Sequence, residues 1–252
     1  MRIARYAVDD AIRYGVVDSE AVSDLVGDPF AGVVKPSGVR HNLDSVRLLA
    51  PVLPRSKVVS FVGGGFLIKP NTSVIGPGEA IQMPGPCEPV VTGELAIVIA
   101  RICRSVPEER VPEVIFGYTA AANVLALDLV EDWGPWGMAA SWDTFTPLGP
   151  WIVTHLSLEE AAGLGIVTSA GQEPGGLQTA IRSTTKDLDP GIAEAVQRVS
   201  SVMTLLPGDV ILTGSESPSL PVEAGDTVSV EIEEVGDLTN PVIGEAGYGT
   251  GA

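Results

Sequence analysis

"VVSFVGGGFLIKPNTSVIG" (Val58–Gly76) decides how the chain is read. A β-like run, Val58–Val62, meets Gly63-Gly64-Gly65 and restarts at once as Phe66-Leu67-Ile68-Lys69-Pro70. Apolar and β-branched residues interrupted by glycine read as two strands joined by a tight turn. The alternative is that a longer segment belongs between the strands and three glycines now bridge its place.

The surroundings carry the same β signature. "GELAIVIARI" (Gly93–Ile102) is a continuous apolar run, as expected of a strand buried on both faces. In "AGDTVSVEIEEVG" (Ala224–Gly236), Val228, Val230 and Ile232 alternate with Ser229, Glu231 and Glu233, which predicts a half-buried strand. "DPGIAEAVQRVSSVMTLLPGD" (Asp189–Asp209) is the clearest helix. Asp189 is placed to cap it, Pro190 suits its first turn, and Ile192, Val196, Val199 and Met203 make one apolar stripe. "VPEERVPEVIFGY" (Val106–Tyr118) predicts a short helix capped by Ser105. Near the start, Arg2–Val8, Ile12–Asp18 and Ala21–Val26 are short strand-like runs, and Pro51 and Pro54 punctuate the passage into the main body. The division is a small N-terminal β domain over 1–54 and a larger core over 55–252.

The chain has 252 residues, 45% of them hydrophobic, enough for a sizeable core. No apolar run reaches the ~18 residues of a membrane span, and "MRIARYAVDD" has no signal-peptide character. Cys87 and Cys103 do not make a disulfide framework. A cytoplasmic protein with reduced thiols is expected. The net charge of −17, with fifteen Lys and Arg scattered along the chain, argues against nucleic acid as a partner.

Six strings, in order, resemble the fumarylacetoacetate hydrolase family of 2-oxo-acid hydrolases and decarboxylases. They are "VRLLAPVLPRSKVV" (Val46–Val59), "FLIKPNTSVIGPGEAI" (Phe66–Ile81), "GELAIVIAR", "IFGYT" (Ile115–Thr119), "WDTFTPLGPWIV" (Trp142–Val153) and "SSVMTLLPGDVILTG" (Ser200–Gly214) with the alternating strand after it. The resemblance implies a β-rich α+β fold, a mixed β-roll core beside a small N-terminal β domain, and a homodimer.

Its functional residues carry over only in part. The family's Glu-Gly-Glu-Leu metal motif is Thr92-Gly93-Glu94-Leu95 here, and Asn123 in "GYTAAANVLALDLV" stands at the third ligand, an Asp in the family. A substrate-binding Arg and Gln fall on Leu127 and Val130, and a catalytic Lys falls on Ala140. The family carries a lid helix with a catalytic His between the two opening strands; Gly63-Gly64-Gly65 replaces it, and His41 and His155 lie in unrelated strings. Magnesium and manganese want several anionic oxygens, so no metal is expected, and hydrolysis of the family type should fail.

Each replacement removes charge or polarity, which points to a wide apolar pocket. Trp133, Trp136 and Trp142 fall in the same region, as pocket walls or as packing. Glu94, with its pKa raised by burial, is an acid or base or else a hydrogen-bonded relic. Asn123 is a donor to a carbonyl. Glu216, in the Gly214-Ser215-Glu216 loop, is a gained carboxylate or a solvated loop acid. Lys69 lines the pocket or ends a strand at the surface. With Thr92, Leu127, Val130, Ala140, Trp142, Thr213 and Ser215, it completes the expected substrate-binding set. The expectation is a metal-independent enzyme that isomerises or cyclises a bulky apolar small molecule, as in secondary metabolism. The alternatives are a family hydrolase or decarboxylase and an inert binding protein on the same fold.

Overall fold

The structure, a computed structural model, describes residues 1–244 except 10, 33, 86, 134–135, 173–178 and 216, with backbone only for 131–133. Strands β1 (Arg2–Val8), β2 (Ala11–Val17), β3 (Ala21–Leu25) and β4 (Pro36–Asn42) form an antiparallel meander, and β5 (Arg47–Leu49) returns to pair with β1. There follow β6 (Val58–Val62), β7 (Gly65–Lys69), β8 (Val74–Ile75), β9 (Ile81–Gln82), β10 (Val90–Ile99) and β11 (Ile115–Leu125). Short helices α1 (Asp128–Trp133) and α2 (Trp136–Ala140) lead to β12 (Thr146–Val153), α3 (Leu158–Ala161), β13 (Gly165–Gly171) and β14 (Thr179–Thr184). The chain continues through α4 (Ile192–Val202), β15 (Val210–Leu212), β16 (Leu220–Pro221), β17 (Thr227–Ile232) and β18 (Gly236–Ile243).

The long sheet runs β4-β3-β2-β1-β12-β11-β10-β15-β6-β7, with β5, β8 and β16 pairing to its side, and the second sheet runs β14-β13-β17-β18-β9. Parallel pairs (β15 with β6, β12 with β8, β18 with β9) make both sheets mixed. The expected β-rich α+β architecture is the observed one. The meander is hydrogen-bonded into the long sheet through Arg2↔Val153 and Ile3↔Ile152, and it keeps a small cluster of its own around Ala4, Tyr6, Val17 and Val22.

The expectation for β10 is met in detail. Leu95, Ile97 and Ile99 enter the main core, while Ala96 and Val98 enter a second cluster on the opposite face. Val228, Val230 and Ile232 of β17 are buried in the main core, as their alternation requires. The two sheets meet there, and Gly93 shows how closely. A Cβ on Gly93 would stand 2.2 Å from Thr168 Oγ1, so only glycine fits between Thr92 and Glu94.

Two local expectations need correction. Ser105 does not cap a helix; it sits at φ 51, and residues Glu108–Glu113 form a 3-10 turn introduced by Pro107. Pro112 lacks the amide that an α-helix over this segment would pair with the Glu108 carbonyl. Helix α4 starts two residues later than expected, at Ile192, with Gly191 at its N-cap. Its stripe is buried from Ile192 to Val199, and Met203 is the C-cap, only partly buried.

Candidate functional site

The glycine tripeptide is a tight turn. Val62 pairs with Gly65, so Gly63 and Gly64 alone make the loop, at φ 58 and 79. Positive φ at both positions is the type I′ geometry that glycine adopts without strain. The turn sets the register of β7, which places Lys69 opposite Val58 and fully buried at 0% exposure.

Strand pairing assembles the rest. Thr92 lies opposite Asn123 across β10 and β11, and Glu94 is two residues from Thr92, so all three share a face. Glu94 is 1% and Asn123 2% exposed. Asn123 Nδ2 donates to Glu94 Oε1 at 2.7 Å and to Ser60 Oγ at 3.0 Å. Thr92 Oγ1 donates to the same Oε1 at 2.9 Å, and the Gly214 amide donates to Oε2 at 2.8 Å. The ammonium of Lys69 donates to Asn123 Oδ1 at 2.8 Å and to the carbonyls of Val124 and Phe145 at 3.0 and 2.8 Å. The result is a buried chain Lys69–Asn123–Glu94 in which the amide bridges a cation and a carboxylate.

Burial lowers Lys69 to about 7, with the Glu94 charge working against it. Three acceptors match the three N–H bonds of the charged form, which also opposes the loss of its proton. Burial raises the Glu94 carboxyl, and the hydrogen bonds from Asn123, Gly214 and Thr92, with the charge of Lys69, hold it down.

This chain lies at the base of a cavity of about 170 Å³. Of the expected site residues, the cavity brings together Thr92, Glu94, Asn123, Leu127 and Ser215. Phe61, Val90, Leu125 and Trp136 form apolar walls, and Ser217 and Ser219 join Ser215 on a hydroxyl-bearing one. Thr213 lines an adjoining groove beneath the glycine turn and donates to Leu95 O. Val130, Ala140 and Trp142 are not among the lining residues. Val130 is on α1, Ala140 is fully buried at the end of α2, and Trp142 packs against the main core. Lys69 is neither wall nor surface: it lies behind Asn123. Asn123 spends both amide hydrogens on Glu94 and Ser60, so it positions Glu94 and has no donor left for a substrate carbonyl. Glu216 and the Trp133 side chain lie outside the described residues.

Sequence reasoning missed Ser60, Ser217, Ser219 and the walls at Phe61 and Val90. Ser217 and Ser219 follow Ser215 at strand spacing, and that alternation was the available signal. The two histidines sit apart from the cavity, His155 beside the terminal amine at 2.9 Å and His41 beside Asp24 at 3.2 Å. Among the described residues no three His, Cys, Asp or Glu side chains converge as a metal site, and no helix is long and apolar enough to cross a membrane.

Residues 54–243 match the family described as fumarylacetoacetate (FAA) hydrolase C-terminal, and residues 1–51 match one described as Rv2993c-like, N-terminal. Protein Rv2993c of Mycobacterium tuberculosis is 39% identical over 96% of this chain and 98% of its own length. The crystal structure of a 5-carboxymethyl-2-hydroxymuconate delta-isomerase from Mycobacterium smegmatis superposes with a TM-score of 0.88 at 40% identity, over 97% of this chain and 100% of the other. A 2-hydroxyhepta-2,4-diene-1,7-dioate isomerase from Mycobacterium marinum gives 0.89 at 36%, over 98% and 99%. With the strand order, the buried Glu94 and these matches together, the chain belongs to the fumarylacetoacetate hydrolase family.

Proposed function

We propose that this chain is a metal-independent isomerase of its family, acting on an uncharged, largely apolar molecule that carries a carbonyl. The observation that carries the reading is the Lys69–Asn123–Glu94 chain beneath a cavity with no Arg, Lys or His among its described lining residues. A carboxylate-bearing substrate would enter without a counter-charge, whereas a neutral one loses little solvation against Leu125, Leu127 and Trp136.

The donor set argues against a hard divalent ion. Such ions want several anionic oxygens, and Glu94 is the one carboxylate among the described lining residues. Both its oxygens already accept hydrogen bonds, and the Asn123 oxygen already accepts from a cation. No step is routed through a metal. Glu94, its basicity raised by burial, removes a proton from the carbon next to the substrate carbonyl. The hydroxyl of Ser215 donates to the enol oxygen that forms. Glu94 returns the proton at a conjugated carbon, so the double bond moves and nothing is gained or lost. Asn123 and Lys69 fix the carboxylate from behind. Closure of the same enol on an electrophile within a flexible substrate would make the reaction a cyclisation.

A second reading is favoured by the two mycobacterial isomerases, whose names specify acidic substrates. It requires a cation in the cavity, and the nearby one among the described residues, Lys69, is fully engaged. The test is proton exchange. In D₂O, with uncharged unsaturated ketones followed by NMR, the full chain should exchange α-protons and Glu94→Gln should not. Elemental analysis should find no stoichiometric magnesium, manganese or zinc. Turnover of acylpyruvates or oxaloacetate that depends on added manganese and is abolished by Glu94→Ala would overturn the proposal.

A further inference from the structure

We infer that the cleft formed by Arg101, Arg104 and Arg110 binds a small polyanion, a molecule bearing a phosphate or pyrophosphate group. Arg101, Arg104 and Arg110 fall within ten residues of sequence, and the fold sets them around one cavity of about 300 Å³. Glu113 is the only acid among the described residues of its wall, so the lining carries three positive charges against one negative in a chain of net charge −17. Arg110 is spent on Glu113, at 2.8 Å. Arg101 and Arg104 make no side-chain hydrogen bond or ion pair among the described residues, which leaves two planar donor groups facing solvent in one concavity. Guanidinium groups so placed suit the oxygens of phosphate.

The backbone beneath is held rigidly. Cys103 exchanges two hydrogen bonds with Leu205, at 3.0 and 2.9 Å. The Ser105 amide donates to Ser200 O at 2.8 Å, and the Val106 amide donates to Ser200 Oγ at 3.0 Å. Between these anchors Ser105 is in the left-handed region at φ 51. A non-glycine residue is strained there, and the surrounding bonds impose it. The backbone of a cleft pinned in this way loses little conformational entropy on binding, and the cost left is that of ordering the arginine side chains. The cleft lies at the far end of the β10–β11 pair, about 20 Å from Glu94 at the ~3.3 Å rise of a strand residue, so it is separate from the catalytic cavity. A concave, polar wall fits a small anion better than the flat face of an acidic protein.

Inorganic pyrophosphate is the probe, titrated calorimetrically into the full chain at low salt. One site per chain is expected, with affinity falling as salt rises. Arg101→Ala and Arg104→Ala should each weaken it about tenfold or more, and both chains should unfold at the wild-type temperature because these side chains are exposed. Arg198→Ala, on α4 and paired with Glu194, is the control and should bind as the wild type does. Absence of binding at millimolar pyrophosphate, or equal binding by an Arg101→Ala/Arg104→Ala variant, overturns the inference. Tighter capture of an acidic peptide than of pyrophosphate does the same.

Discussion

Lys69→Met probes the buried chain where it is most exposed to failure. Methionine fills the space of the lysine stem but returns no charge and no donor. The carbonyl of Phe145 also accepts from the Val124 amide, at 3.2 Å, so it is not stranded. The losses are the counter-charge to Glu94, which is 1% exposed, and the donor to Asn123 Oδ1, which is left buried without its partner. Removing one partner of a buried pair costs about 3–5 kcal/mol, a large share of the ~5–15 kcal/mol total stability of a domain. Glu94→Gln alone leaves Lys69 without its counter-charge and turns an amide toward the Gly214 N–H, and it should be destabilising as well. The double variant should lose at least ~2 kcal/mol less than the sum of the singles, since neither charge then remains buried alone. Urea unfolding followed by tryptophan fluorescence at pH 6, below the pKa of about 7 at which Lys69 loses its proton, reads all three. A Lys69→Met cost below ~1 kcal/mol, or additivity within ~0.5 kcal/mol, would refute the claim that Asn123 couples the two charges.

The same pair fixes a pH dependence. Lys69 is lowered from 10.5 to about 7 in the fold, so between those values the unfolded chain binds more protons and stability must rise with pH. Loss of Lys69 would raise Glu94 further, which acts in the opposite direction, so the advantage of wild type over Lys69→Met should widen from about pH 7 to about pH 10 in parallel urea titrations. At the turn, Gly64→Val puts a β-branched residue at φ 79 and should cost about 1–2 kcal/mol. Gly65→Ala, with no positive φ and open space around it, should stay within ~0.5 kcal/mol of wild type. Leu127→Arg places a cation in the apolar wall and should weaken binding of a neutral dye such as Nile red tenfold or more; unchanged affinity would show that this cavity does not take apolar ligands.

The fold was legible where periodicity and burial coincide. The run Gly93–Ile102 could only be a strand covered on both sides, and Val228, Val230 and Ile232 could only face one core. The site was legible where it depends on strand register, because Thr92, Glu94 and Asn123 occupy neighbouring places on one sheet face. It was not legible where position depends on helix placement. Val130, Ala140 and Trp142 come after β11, on or just beyond α1 and α2, and no local pattern tells which side of a five- or six-residue helix meets a cavity. Lys69 was ambiguous for another reason. A lysine at the end of a strand is ordinarily solvated, and only the β6–β7 hairpin, packed over Asn123, takes it out of water. The arginines of the cleft are neighbours in sequence, but the concavity they line was not legible, because the path of their loop is fixed by backbone bonds to Ser200 and Leu205, far away in sequence.

Asn123 is the link between Lys69 and Glu94. Asparagine and aspartate have nearly the same shape, so Asn123→Asp would leave the side chain in place and set a carboxylate oxygen 2.7 Å from Glu94 Oε1. At an effective dielectric of ~20, two like charges at that distance repel by about 6 kcal/mol. Lys69 would offset part of that, and a proton or a cation would have to offset the rest. The amide removes the repulsion and adds a donor. It therefore lets Glu94 stay buried without a second carboxylate against it. On the proposed function, the neutral amide of Asn123 and the apolar side chain of Leu127 act in the same direction: one offers no second anion to a bridging cation and the other no partner to a substrate carboxylate, which is why the substrate proposed is uncharged at its reacting end.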